Sequence, residues 1–123
     1  MSAPVAIFVV DDSRASRMLA VAIIKTEMPE AVIHEAGNAE EALSLLASVK
    51  PTLAILDMNM PGISGLELAK KMAQLSPTTV RALLTANIQE STKIEAESNG
   101  VHFFKKPISE RVVKEILSLI VKR

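Results

Sequence analysis

Short apolar runs and helix-period stretches alternate along the whole chain. Ala6 to Val10 is a continuous apolar run, the pattern of a strand buried on both faces. Ser13 then caps a predicted helix in which Ala15, Met18, Leu19, Ala22 and Ile23 recur at helical spacing, ending near Met28-Pro29. Val32 to Ala36 reads as a weaker strand. After Gly37 a second helix is predicted, with Asn38 as its cap, Glu41 as capping-box partner, and Ala42, Leu43, Leu46 and Val49 on its buried face. Lys50-Pro51 ends it.

A third strand covers Leu53 to Leu56 and leads into a loop, Asp57 to Gly65, containing Pro61, Gly62 and Gly65. A helix from Leu66 to Leu75, a strand from Thr79 to Leu84, and a helix from about Gln89 to Asn99 follow. Gly100 turns the chain into a strand, Val101 to Phe104. The last helix is expected from about Glu110 to Val121, burying Val112, Val113, Ile116, Leu117, Ile120 and Val121. Five strands alternating with five helices predict a doubly wound parallel sheet of the α/β class.

Composition narrows the chemistry. At 123 residues the chain is read as one domain, able to bury about two-thirds of its unfolded surface without a disulfide or structural metal. Lys+Arg and Asp+Glu both number 14, so no global charge points to nucleic acid or an acidic membrane. There is no cysteine, which excludes thiol chemistry and fits a reducing cytosol. Met1-Ser2-Ala3-Pro4 offers no basic region before the first apolar run, and no apolar stretch approaches the ~20 residues of a membrane span. The expectation is a soluble, intracellular protein.

Charge gathers at strand ends. Asp11-Asp12 follow the first strand, Asp57 the third and Lys106-Pro107 the fifth, and side chains beyond the carboxyl ends of neighbouring parallel strands converge on one crevice. Taken singly, each has a plainer role: the acidic pair as a cap, Asp57 as a turn residue, Lys106 as a solvated lysine, Thr85 as a strand-end hydroxyl. Together they describe one pocket for a divalent cation and a phosphoryl group. His34 and His102 lie in strand patterns without a second ligand at metal spacing and are read as structural or exposed. Met18, Met58, Met60 and Met72 are assigned to core or loop, Lys105 to solvent, and Lys122-Arg123 to a helix end favoured by the dipole.

The ordered set Asp11-Asp12, Asp57-Met58-Asn59-Met60-Pro61-Gly62-Ile63-Ser64-Gly65, Thr85-Ala86 and Lys106-Pro107 resembles the receiver domain of bacterial two-component response regulators, in particular the chemotaxis-type single-domain members. The resemblance spans essentially the whole chain, 1–123. It implies a flavodoxin-like fold of strand order 2-1-3-4-5 and a phosphorylation-controlled signalling switch. Asp57 is implied as phosphoacceptor, Lys106 and Thr85 as ligands of the phosphoryl oxygens, and Asp11, Asp12, Asp57 and Asn59 as the Mg2+ site. Thr85 and Phe103 are implied as the switch pair, and Pro107 as following a cis bond that aims Lys106 inward. A histidine kinase or phosphotransfer protein is the implied donor. A downstream protein target is the implied reader, through the face of the fourth helix, fifth strand and fifth helix. Neither direct nucleic-acid contact nor membrane insertion is implied, and the place of action is the cytoplasm. The resemblance implies a chain that catalyses only its own phosphorylation and autodephosphorylation; a receiver cut from a longer regulator is the alternative.

The residues agree with those roles. Mg2+ takes oxygen ligands and keeps several waters; Asp12, Asp57, the Asn59 carbonyl and a phosphoryl oxygen would supply four, with Asp11 acting through water. The formal charges of three carboxylates, one divalent cation and the Lys106 ammonium cancel. Rival readings meet specific obstacles. A haloacid-dehalogenase-type phosphatase needs an acid two residues after its nucleophile, where Asn59 has no titrating proton. A flavin-binding module needs a hydroxyl and glycine loop after the first strand, where two carboxylates stand. A receiver kept only for docking would not need every motif position filled by a competent residue.

Overall fold

The computed structural model describes residues 4–121. Among them the strands are β1 (Ala6–Val10), β2 (Val32–Ala36), β3 (Leu53–Asp57), β4 (Val80–Thr85) and β5 (His102–Lys105). The helices are α1 (Arg14–Glu27), α2 (Ala39–Leu46), α3 (Gly65–Leu75), α4 (Glu90–Ser98) and α5 (Glu110–Leu117). All strand pairs are parallel, in the order β2-β1-β3-β4-β5. The doubly wound prediction and its strand order hold.

The continuous apolar runs follow from burial on both faces. Phe8 and Val10 of β1, Ala54 and Leu56 of β3, and Leu83 of β4 pack with α2, α3 and Ala96 of α4. The alternate residues Ile7, Val9, Leu53, Ile55, Ala82 and Leu84 pack with α1 and α5. A side chain turned over by one position would still meet apolar neighbours, so register is carried by what sits at the strand ends. Val10 pairs with Leu56, and Asp57 with Leu84, which brings the end of β1 beside the end of β3 at the carboxyl edge of the sheet.

Helix starts are fixed by side-chain caps. Ser13 accepts from Ser16 N–H at 3.2 Å and Asn38 from Glu41 N–H at 2.8 Å, as predicted. Ser64 and Ser109 cap α3 and α5 in the same way, which the sequence reading did not single out. The predicted capping box at Asn38 is shifted by one residue: Glu41 Oε1 accepts from Gly37 N–H at 2.7 Å.

Three expectations need correction. Ala15, Met18, Leu19 and Ala22 do not face the sheet; Met18 is 59% and Leu19 48% exposed, while Ala20 and Ile24 are buried and Ile23 is half-buried. Residues 18–24 are apolar all round the helix, so spacing alone did not select a face. The inward stripe is Arg17, Ala20, Ile24, set where Arg17 can reach the end of β1. Secondly, α5 ends at Leu117, followed by a turn over 118–120; Ile120 is half-buried and Val121 is 47% exposed. Thirdly, Val49 lies beyond the end of α2, although it still packs on the core. Lys122-Arg123 and the opening Met1-Ser2-Ala3 lie outside the described residues.

Candidate functional site

The carboxyl edge of the sheet gathers the acidic groups. Asp57 is the last residue of β3 and only 4% exposed; Asp11 follows β1 and is 3% exposed; Asp12 is exposed. Each of the three offers an oxygen within 4.8 Å of the others. Lys106, one residue past β5, reaches back so that its Nζ lies 2.9 Å from Asp57 Oδ1 and 3.8 Å from Asp11 Oδ2. Its backbone is fixed by Lys106 N–H donating to Thr85 O at 2.8 Å, and the Lys106–Pro107 peptide is cis.

Asp11 is held on every side. Its N–H donates to Ala36 O at 3.1 Å and its Oδ1 accepts from Ser13 N–H at 2.9 Å. Its carbonyl accepts from Arg17 Nη1 at 2.7 Å, and Arg17 Nε donates to Glu35 Oε1 at 3.1 Å. Asp57 accepts from Asn59 N–H at 3.4 Å, a long contact that puts the Asn59 backbone beside the carboxylate. Met58 N–H donates to Leu84 O and Gly65 N–H to Met58 O, so the loop after Asp57 folds tightly over the strand end. A Cβ on Gly65 would lie 2.2 Å from Asp57 O. No side chain fits there, so the start of α3 can close on the site only with glycine. Gly62 allows the turn with φ of 83°.

Thr85, 3% exposed, ends β4 beside Asp57. Its hydroxyl points along its own loop, donating to Asn87 O at 3.1 Å while accepting from Asn87 N–H at 3.3 Å. Phe103 is half-buried against the core on the α3 side. The structure therefore brings Asp11, Asp12, Asp57 and Lys106 into direct contact range, with Asn59 and Thr85 at the rim. Of the other candidates, His34 packs edge-on against Phe8 with ring centres 5.7 Å apart, and His102 is exposed. Met72 is buried and Met58 and Met60 pack on the core, whereas Met18 is exposed. Arg17 and the buried Arg81 were missed, and Gly65 was named in the motif without the close approach to Asp57 O that requires it. Gly65 had a signal, a glycine immediately ahead of a helix pattern, but nothing in the sequence distinguishes Arg17 from other helix-surface arginines.

Burial dominates the electrostatics of the nucleophile candidate. It raises the Asp57 pKa from 3.8 to about 6; the Lys106 hydrogen bond pulls the other way and the Asp11 charge adds to the rise. Burial alone would lower Lys106, but its hydrogen bond to Asp57 and the charges of Asp57, Asp11 and Asp12 outweigh this and its pKa is raised. The sign for stability follows. A carboxyl raised on folding is neutral in both states at low pH, and its ionised form disfavours the fold as pH rises from 3.8 through about 6. Asp57 thus tends to keep a proton below about pH 6, which a bound cation would displace. Three convergent carboxylates are a hard oxygen donor set, and this set fits Mg2+.

Comparison with known proteins gives the family and the fold. The response regulator receiver domain model matches residues 7–118. The chain is 34% identical over 121 residues to the phosphate regulon transcriptional regulatory protein PhoB of Pseudomonas aeruginosa, covering 95% of this chain and 52% of that one. It is 38% identical over 80 residues to a protein-glutamate methylesterase/protein-glutamine glutaminase of Rhizobium etli, covering 65% of this chain and 23% of that protein. The chain thus spans about half or less of the length of these curated relatives. Among solved structures, the chemotaxis response regulator CheY4 of Vibrio cholerae has the same fold, with a TM-score of 0.84 at 21% identity over 97% of this chain and 100% of that one. The response regulator domain of Thermotoga maritima CheB gives 0.79 at 27% identity, covering 96% and 94%. With the family model matching most of the described chain and the strand order that of the receiver fold, the chain belongs to the response regulator receiver domain family.

Proposed function

We propose that Asp57 is the phosphoacceptor and that Asp11, Asp12, Asp57 and the Asn59 carbonyl hold Mg2+. The observation that carries this reading is the 2.9 Å contact of Lys106 with Asp57 inside a cluster of three carboxylates. An Asp57 oxygen attacks the phosphorus of a phosphohistidine, the P–N bond breaks, and its electron pair leaves with the imidazole, which is reprotonated. Asp57 supplies the lone pair; Lys106 stays protonated and meets the charge on the transferred group. The cation, when bound, neutralises phosphoryl oxygens, and positioning with charge compensation is most of phosphoryl-transfer catalysis. The chain's own chemistry is confined to gaining and losing this group, within a single receiver unit over 1–123 that acts in the cytoplasm. Its donor is a histidine kinase or phosphotransfer protein, and its reader a downstream protein.

The output runs through Thr85 and Phe103. A phosphoryl oxygen competes with Asn87 for the Thr85 hydroxyl, which frees the loop leading into α4 and gives the half-buried Phe103 ring room to move. The face of α4, β5 and α5 then presents a different surface to its reader, with coupling of about 1–3 kcal/mol.

The test is phosphorylation by acetyl phosphate, followed by intact mass. The wild-type protein should gain one phosphoryl group with Mg2+ and none after chelation, and Asp57→Asn should gain none. Uptake by Asp57→Asn at the wild-type rate would sink the assignment.

A further inference from the structure

Among the described residues, Arg17 is the one side chain whose hydrogen bonds join the acidic loop to the end of β2. Its guanidinium donates from Nη1 to Asp11 O at 2.7 Å and from Nε to Glu35 Oε1 at 3.1 Å, and its side chain is 18% exposed. The carbonyl it holds belongs to the peptide that joins Asp11 to Asp12, so its hold sets the plane from which the Asp12 carboxylate projects. Asp12 itself is exposed, and no hydrogen bond of its carboxylate occurs among the described residues. Its aim therefore depends on its backbone.

The pairing with Glu35 has an electrostatic consequence. An uncompensated guanidinium at the Asp11 carbonyl would repel a divalent cation, whereas the Arg17–Glu35 pair is neutral and contributes direction with little net field. The position of the guanidinium between two acceptors also favours arginine, because its planar fork bridges both oxygens and a lysine ammonium does not.

We infer that Arg17, tethered by Glu35, is a positioning residue for the metal site: it orients the Asp11–Asp12 peptide so that Asp12 can bind Mg2+ directly. The inference rests on the metal reading given above. It makes a prediction opposite in sign to simple electrostatics. Removing a positive charge near three carboxylates would by itself tighten Mg2+ binding, whereas losing the orientation weakens it.

The experiment is Mg2+ titration by calorimetry on wild-type, Arg17→Gln, Arg17→Lys and Glu35→Gln proteins, with a thermal melt of each to set the titration well below unfolding. Arg17→Gln should weaken Mg2+ about 10-fold, the scale of an outer partner of a metal ligand. Arg17→Lys should fail to restore it, and Glu35→Gln should weaken it by a smaller factor, with the folded protein's melting otherwise close to wild-type. Wild-type affinity in Arg17→Gln, tighter binding, or full rescue by Arg17→Lys would overturn the assignment while leaving the metal reading standing. If Arg17→Gln does not fold, Arg17→Lys and Glu35→Gln decide by the same criteria. Absence of Mg2+ binding in the wild-type protein would overturn the metal reading and this inference with it.

Discussion

Helices α4 and α5 flank the same edge strand, β5, yet they are held in opposite ways. From α5, Val112, Val113, Ile116 and Leu117 are buried and Ser109 caps the first turn. From α4 only Ala96 is buried, Ile94 is 57% exposed, and Gln89 makes no side-chain cap. Each large apolar side chain fully buried is worth roughly 1.5–3 kcal/mol, so packing fixes α5 and leaves α4 near the low-stability end of the fold. What holds α4 is polar and sits at one end. Arg81, on the same face of β4 as Thr85, donates to Ala69 O of α3 at 2.8 Å and to Asn99 O at the end of α4 at 2.9 Å. Lys70 of α3 pairs with Glu95. The tethered end of α4 lies away from the site, and the uncapped end follows the Thr85–Asn87 loop. On the proposed switch, α4 is the helix that responds to phosphorylation and α5 the body it moves against.

The largest expected effect contrasts the two helices directly. Ile116→Ala should cost about 2–5 kcal/mol, because a fully buried side chain leaves a cavity in the α1–α5 face. Ile94→Ala should cost less than about 0.5 kcal/mol, as an exposed substitution in a helix does. Chemical denaturation of both variants gives the answer, and comparable losses would erase the distinction between the helices.

A smaller effect is expected at the polar tether. Burial lowers the Arg81 pKa, so part of what its hydrogen bonds contribute is offset by the cost of desolvating the charge. Arg81→Met keeps the apolar stem and leaves the two carbonyls without this donor. It should cost about 1–2 kcal/mol overall. The sharper readout is amide hydrogen exchange: protection should fall in α4 and remain in α5. A uniform loss across both helices would show that Arg81 supports the whole fold rather than α4.

The contrast also marks how far the sequence could be read. The alternation of buried runs and helical periods located every strand and helix, because a parallel sheet leaves little polar punctuation inside its strands. The placement of the charged cluster was legible for a related reason: Asp11, Asp12, Asp57 and Lys106 fall at or just past strand ends, at the carboxyl edge where neighbouring strands converge. The face of α1 was not, since residues 18–24 are apolar on every side; the side turned inward is the one that buries Ala20 and Ile24 and lets Arg17 reach Asp11 O. Arg81 was hidden because a lone arginine in a strand pattern reads as an edge or surface residue until the two carbonyls it meets are known. The weak hold on α4 follows from a helix whose buried contribution is one alanine, which an apolar count cannot separate from a short amphipathic helix.

The smallest expected effect lies at the free end of α4. Gln89 has the extended backbone of a cap, with φ of -103° and ψ of 135°, but its side chain makes no capping hydrogen bond. Asp at this position would accept from a first-turn N–H and place a negative charge at the positive end of the helix dipole, together worth about 0.5–1 kcal/mol. Gln89→Asp should therefore raise Tm by roughly 3 °C for a domain of this size. The gain should appear as slower hydrogen exchange in the first turn of α4, with none in α5, since α5 already has its Ser109 cap. On the proposed switch, holding the first turn of α4 opposes release of the loop that follows Thr85, so the affinity ratio for a reader with and without phosphorylation should shrink. A higher Tm with an unchanged exchange pattern in α4 would mean that the uncapped end does not limit this helix, and the asymmetry between its two ends would lose its basis.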